Sequence, residues 1–137
     1  MQLALTRRAD YAVRAMLCLA RAGGERLSGP TIAATTGSPP RFVTQVMGDL
    51  VAAGLVRATL GRSGGYRLAK SARRISILDI VGAIEGDARR RTCVLRAAAC
   101  RGDRACEVHE IFSSAQDALL ERLAMVTLAS AAAGPNG

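Results

Sequence analysis

Residues 38–69, SPPRFVTQVMGDLVAAGLVRATLGRSGGYRLA, constrain the fold of this chain more than any other stretch. In the first half Phe42, Val43, Val46, Met47, Leu50 and Val51 recur at helical spacing and share one face. Ser38 stands where a cap belongs, prolines occupy the first turn, and Gly54 is placed to end the helix in a left-handed turn. Then the period changes. LVRATL and YRLA read as two short strands joined by GRSGG. The helix face opposite the apolar stripe carries Arg41, Thr44, Gln45 and Gly48. Arg, Thr and Gln on an exposed face supply donors and acceptors suited to base edges and phosphates, or else form an ordinary solvated surface.

The elements upstream favour the first of these. Arg8 to Ala22 is rich in apolar residues and runs unbroken to Gly23 and Gly24, so it reads as a helix. LSGPTIAATTG reads as a short second helix, capped by Ser28, with Pro30 in its first turn and Gly37 closing it. Two helices, an amphipathic third and a hairpin make a winged helix-turn-helix. In that fold the third helix enters the major groove and the hairpin touches flanking DNA. The expected class is therefore mainly α with a small β-hairpin wing. The charge agrees: residues 1–74 carry 12 Lys/Arg against 3 Asp/Glu, whereas residues 75–137 carry 7 against 8. A basic first half points to a polyanion, double-stranded DNA first. Arg57, Arg62, Arg67, Lys70, Arg73 and Arg74 lie on or just after the hairpin.

Farther along, SILDIVGAIEG has the Ser76–Asp79 spacing of a capping box, followed by Ile77, Ile80, Val81 and Ile84 at helical spacing. Asp87 to Arg104 has no sustained period, and a loop of that length in a small protein is usually functional or disordered. From about Glu107 the pattern is helical again, with Ile111, Phe112, Ala115, Leu119, Leu123 and Val126 on one stripe. That stripe needs a cover. A second copy of the chain is favoured over folding back, because helix-turn-helix half-sites are commonly paired. The tail ASAAAGPNG reads as frayed. Three regions result: a DNA-binding region over 1–74, a connecting helix and cysteine-rich loop over 75–106, and a dimerisation helix with tail over 107–137.

Three of the four cysteines and the single histidine fall in TCVLRAAACRGDRACEVHE: Cys93, Cys100, Cys106 and His109. No apolar run approaches a membrane span and no cleavage signal opens the chain, so a cytoplasmic protein is expected. There thiols stay reduced, and clustered cysteines point to metal or redox chemistry rather than disulfides. Thiolates hold iron or zinc because soft sulfur donates well to both. The absence of C-x-x-C pairs weakens the zinc reading. An oxidisable thiol pair among arginines remains an alternative. Cys18, among apolar residues of the first helix, reads as a small core residue. One histidine, no nucleophile–base arrangement, and a GRSGG lacking the Gly-Lys-Ser/Thr ending of a phosphate-binding loop argue against an enzyme.

Taken in order, LTRRADYAVRAMLCLA, PPRFVTQVMGDLVAAGLV, GRSGGYRLAK, ISILDIVGAIEG and the Cys–Cys–Cys–His segment resemble the Rrf-type family of winged-helix transcriptional regulators over nearly the whole chain. The family includes iron–sulfur-cluster and nitric-oxide-sensing members. The resemblance implies a homodimer joined by the C-terminal helix and DNA reading by the third helix and wing, where the expected contact residues are Ser38, Arg41, Thr44, Gln45, Arg62, Ser63 and Gly64. It also implies a [2Fe-2S] or [4Fe-4S] cluster on Cys93, Cys100 and Cys106. His109 is the expected fourth ligand, with Asp10 of the other subunit as the alternative. The chain departs from the family pattern at Leu60, where members often carry arginine, and in the six residues between Cys93 and Cys100.

Overall fold

The computed structural model describes residues 4–86 and 108–134. Helix α1 spans Arg7–Arg21, α2 Gly29–Thr36 and α3 Pro40–Ala52. Strands β1 (Val56–Thr59) and β2 (Gly65–Leu68) form the hairpin. A 3₁₀ turn at Ala72–Arg74 leads to α4 (Ile77–Glu85), and α5 (His109–Met125) and α6 (Leu128–Ala132) complete the chain. No helix among the described residues is long and apolar enough to cross a membrane.

The core lies where α1 meets α2, α3, α4 and α6. Helix α1 brings Ala9, Ala12, Ala15, Met16 and Leu19 to it. The alanines let backbones approach closely, and the larger side chains fill the space between them. Thr6 caps α1 by accepting from the Ala9 N–H at 3.2 Å, and Asp10 and Arg21 lie at the ends where the helix dipole favours their charges. In α3 Val43, Val46, Met47 and Leu50 are all buried, as the stripe requires. Val51, the last member of the expected stripe, is exposed. Half-buried Phe42 packs its ring 5.5 Å from that of Tyr11.

One expected cap is displaced. Pro39, not Ser38, holds the N-cap position of α3, and no side chain caps that end. Both Ser38 and Pro39 precede a proline, which disfavours the helical region for each and delays the helix to Pro40. Ser38 is 6 % exposed, and its hydroxyl accepts a hydrogen bond from Thr36 Oγ1 at 2.9 Å. With its N–H donating to the Ala33 carbonyl at 3.1 Å, it closes the turn that follows α2.

The hairpin forms within a residue of its expected bounds, antiparallel, with Val56 opposite Leu68 and Arg57 opposite Arg67. A further element has no local sequence signal. Leu27, ahead of α2, exchanges two backbone hydrogen bonds with Tyr66, at 2.9 and 2.8 Å, and fastens the wing to the helical body. Gly65, at φ +145°, permits this, because a Cβ there would lie 2.7 Å from the Leu27 carbonyl oxygen.

The Ser76–Asp79 capping box of α4 is complete, with bonds of 3.0 and 2.9 Å. The C-terminal part differs from expectation. Helix α5 ends at Met125, and the chain returns to its own domain. Leu128 N–H donates to the Ile75 carbonyl at 2.7 Å, Ile77 N–H to Val126 at 3.0 Å, and the Leu128 side chain is fully buried. Ala129–Ala132, expected to fray, are helical behind a Thr127 cap and pack against α1. The anchor is the single large apolar residue ahead of the alanines.

Candidate nucleic-acid interface

Helix α3 offers one face to the core and one to solvent. On the solvent face Arg41, Thr44, Gln45 and Gly48 are all exposed. Arg41 lies over the Phe42 ring, 5.1 Å from its centroid, a cation–π contact that orients the guanidinium without consuming its hydrogen-bond donors. The Thr44 hydroxyl donates to the Pro40 carbonyl at 3.3 Å and keeps its acceptor lone pairs. Nothing lies within 4 Å of where a Cβ of Gly48 would stand, so a flat partner can approach the helix closely there. Asp49, the carboxylate of α3, is paired with Arg8 of α1. That pair screens the acidic group beside the exposed face and links α3 to the start of α1.

The wing extends this surface. Arg57, Arg62 and Arg67 are exposed, as are Lys70, Arg73 and Arg74 after it. Arg57 and Arg67 stand directly opposite each other across the strands. Like charges in that position destabilise a hairpin, and an anionic partner relieves the cost. Ser63 is exposed, and its carbonyl accepts from Arg26 Nη1 at 3.3 Å, bracing the hairpin tip. Gly64 is half-buried and shapes the turn, since a Cβ there would lie 2.1 Å from the Thr59 carbonyl oxygen. Of the expected contact set, Arg41, Thr44, Gln45, Arg62 and Ser63 are thus on the surface, while Ser38 is buried. The sequence reading missed Arg26, whose role depends on a contact 37 residues away.

The Rrf2 family, described as iron-dependent transcriptional regulators, matches residues 5–134. The chain belongs to the Rrf2 family. It is 35 % identical over 118 residues to an rrf2-like helix-turn-helix regulator of Rhodobacter capsulatus, covering 80 % of this chain and 79 % of that one. It is 30 % identical over 141 residues to the transcriptional repressor NsrR of Streptomyces coelicolor, covering 97 % and 90 %. Among solved structures it resembles CymR, the global cysteine regulator of B. subtilis, with a TM-score of 0.80, 27 % identity and coverage of 96 % and 97 %. For T. potens IscR the TM-score is 0.76 with 28 % identity, covering 96 % and 87 %. This Rrf2 protein is therefore a winged-helix, DNA-binding transcriptional regulator and not an enzyme.

The residues expected to ligate a cluster are distributed differently. Cys93, Cys100 and Cys106 lie outside the described residues. His109 is the first residue of α5, half-buried, with Nε2 3.4 Å from Ser113 Oγ. Asp10, in the first turn of α1, accepts a hydrogen bond from Arg14 Nε at 3.0 Å. Among the described residues no three His, Cys, Asp or Glu side chains come together as a metal site. Cys18 is half-buried rather than a core residue. It lines a groove of about 440 Å³ between α1 and α2 with Arg14, Arg21, Thr31 and Thr35. Burial pushes its thiol pKa up, against smaller lowering effects of the Thr35 hydrogen bond and the Arg21 charge.

Proposed function

We propose that the chain is a homodimeric transcriptional regulator whose DNA affinity is set by an iron–sulfur cluster on Cys93, Cys100, Cys106 and His109. The observation that carries this reading is the position of His109. It opens α5, a 17-residue helix in which no residue is buried. On α5 Ile111 is 68 %, Leu119 49 % and Met125 74 % exposed. A centre that takes His109 as a ligand acts on the start of the element best suited to join two subunits.

The donor set fits such a centre. Three thiolates and one imidazole are soft or borderline ligands that suit iron. When bound, a cluster supplies redox-active iron whose loss or modification changes the bonding of its ligands. Asp10 is the alternative fourth ligand: Arg14 Nε bonds its Oδ1 and leaves the other carboxylate oxygen available to a second subunit.

A route to the reading helix is available in the chain's own contacts. Glu85, at the end of α4 and ahead of the cysteine segment, accepts from the Thr6 N–H at 3.2 Å. Two residues on, Arg8 pairs with Asp49 of α3. A shift of the cysteine segment that moves Glu85 therefore pulls on the start of α1 and, through Arg8, on α3. A coupling of about 1–3 kcal/mol alters affinity about 5- to 150-fold.

The test is a binding titration on a duplex that the anaerobically purified protein selects from a random library. A change of that size between iron-loaded and iron-free protein is expected. Equal affinities would remove the sensing role. A second reading, a metal-free thiol switch, draws on Arg96, Arg101 and Arg104, which neighbour the cysteines in sequence; a cationic group beside a thiol promotes oxidation. It predicts that mild oxidation of iron-free protein changes affinity and that reduction restores it.

A further inference from the structure

The tip of the wing carries an apolar side chain that the DNA-binding reading has not used. Leu60 is 95 % exposed, the most exposed large apolar residue among those described. Single exposed leucines are common and need no explanation. This one differs in its setting. It directly follows the last hairpin pair, Thr59 opposite Gly65. The turn beyond it is closed by Gly64 N–H donating to the Gly61 carbonyl at 3.0 Å and is braced by Arg26 on Ser63. Leu60 is therefore presented on a held turn. Around it Arg57, Arg62 and Arg67 are exposed, which disfavours an apolar or cationic protein partner and suits a polyphosphate backbone.

Charge and an apolar tip together match one kind of contact. Proteins that enter the minor groove use arginines at its edges and insert an apolar wedge between base pairs, which unstacks one step and bends the duplex. We propose that Leu60 is such a wedge, entering the minor groove of DNA flanking the site read by α3 and opening a flexible pyrimidine–purine step. This inference rests on the DNA-binding reading of α3 and the wing. It assigns to Leu60 the bending of the duplex and a preference for deformable flanking sequence, while Arg57, Arg62 and Arg67 supply the charge.

The experiment compares full-length wild-type protein with Leu60→Ala, Leu60→Arg and Arg41→Ala on a duplex selected from a random library by the wild type. Affinity, salt dependence and end-to-end energy transfer are recorded, with 2-aminopurine placed at each flanking step in turn. Leu60→Ala is expected to weaken binding about tenfold, straighten the duplex and abolish the 2-aminopurine signal. Its salt slope stays unchanged, because no charge is lost. Leu60→Arg is expected to steepen the salt slope by about one phosphate contact without restoring the signal. A Leu60→Ala protein that binds and bends as the wild type does, while Arg41→Ala is impaired, overturns the wedge and leaves the reading of α3 intact. If Arg41→Ala is unimpaired as well, or no duplex is selected, the reading itself fails. If Leu60→Ala lowers self-association and leaves DNA bending unchanged, Leu60 is a protein contact and the wedge is overturned. Unchanged melting temperatures are the expected control for an exposed site.

Discussion

Helices α3 and α5 are similar in length and both carry an apolar stripe, yet they end up in opposite states. Helix α3 has 13 residues and buries Val43, Val46, Met47 and Leu50. Helix α5 has 17 residues and buries none. The apolar period is satisfied within the chain in one case and only partly in the other, where α5 rests on α4 with Phe112 and Leu123 half-buried. The contrast teaches where each helix finds its partner: α3 in the folded monomer, and α5, on the proposed reading, in a second copy. The return of α6 to its own domain sharpens the point, because Leu128 anchors the chain immediately after α5 and leaves α5 outside the core.

The comparison can be broken most forcefully through the core. Leu50→Ala removes a fully buried side chain from the α3 stripe and is expected to cost about 2–5 kcal/mol, read from urea unfolding. A loss under about 1 kcal/mol would mean that α3 is not anchored as described. Leu119→Lys should act on association instead. By symmetry it removes two leucines from the interface, about 3 kcal/mol at roughly 1.5 each, and shifts sedimentation toward the 14.3 kDa monomer while the circular dichroism stays helical. A variant that remains dimeric at micromolar concentration would place the interface elsewhere.

Smaller effects test the solvent faces. Arg41→Ala should weaken specific DNA binding by about 1–3 kcal/mol with little change in melting temperature. Equal affinity for the selected duplex would take Arg41 off the reading surface. The smallest effect concerns Cys18. Because burial raises its pKa, the neutral thiol persists to higher pH than in the unfolded chain. Any stability it contributes is present below the unfolded pKa and is lost as pH rises through the higher folded value. Alkylation of Cys18, followed by peptide mass spectrometry, should therefore reach half-maximal rate at a higher pH than in the unfolded protein. A midpoint at or below the unfolded value would contradict the burial argument.

What the sequence made legible was local. The Ser28 cap, Gly37 and Gly54 in left-handed turns, and the reciprocal Ser76–Asp79 box all follow from side chains acting within four residues. The exposed face of α3 followed from its helical period. Features decided at long range were not legible. The Leu27–Tyr66 bridge, the Arg8–Asp49 pair and the seating of Leu128 beside Ile75 join residues 39 or more positions apart, and no local propensity encodes them. The misplaced Ser38 cap has another cause. Two consecutive prolines restrict the residues ahead of them and outweigh the capping preference of a serine.

On the proposed reading, Cys93, Cys100, Cys106 and His109 together hold an iron–sulfur centre. The most direct measurement is the iron and acid-labile sulfide content of oxygen-free preparations, for the wild type and for Cys93→Ala, Cys100→Ala, Cys106→Ala and His109→Ala. A coloured, iron-loaded wild type is predicted, with each cysteine variant folded and dimeric but colourless and His109→Ala holding its iron less tightly. A colourless, iron-poor wild type would contradict the claim, and so would cysteine variants that retain full iron content.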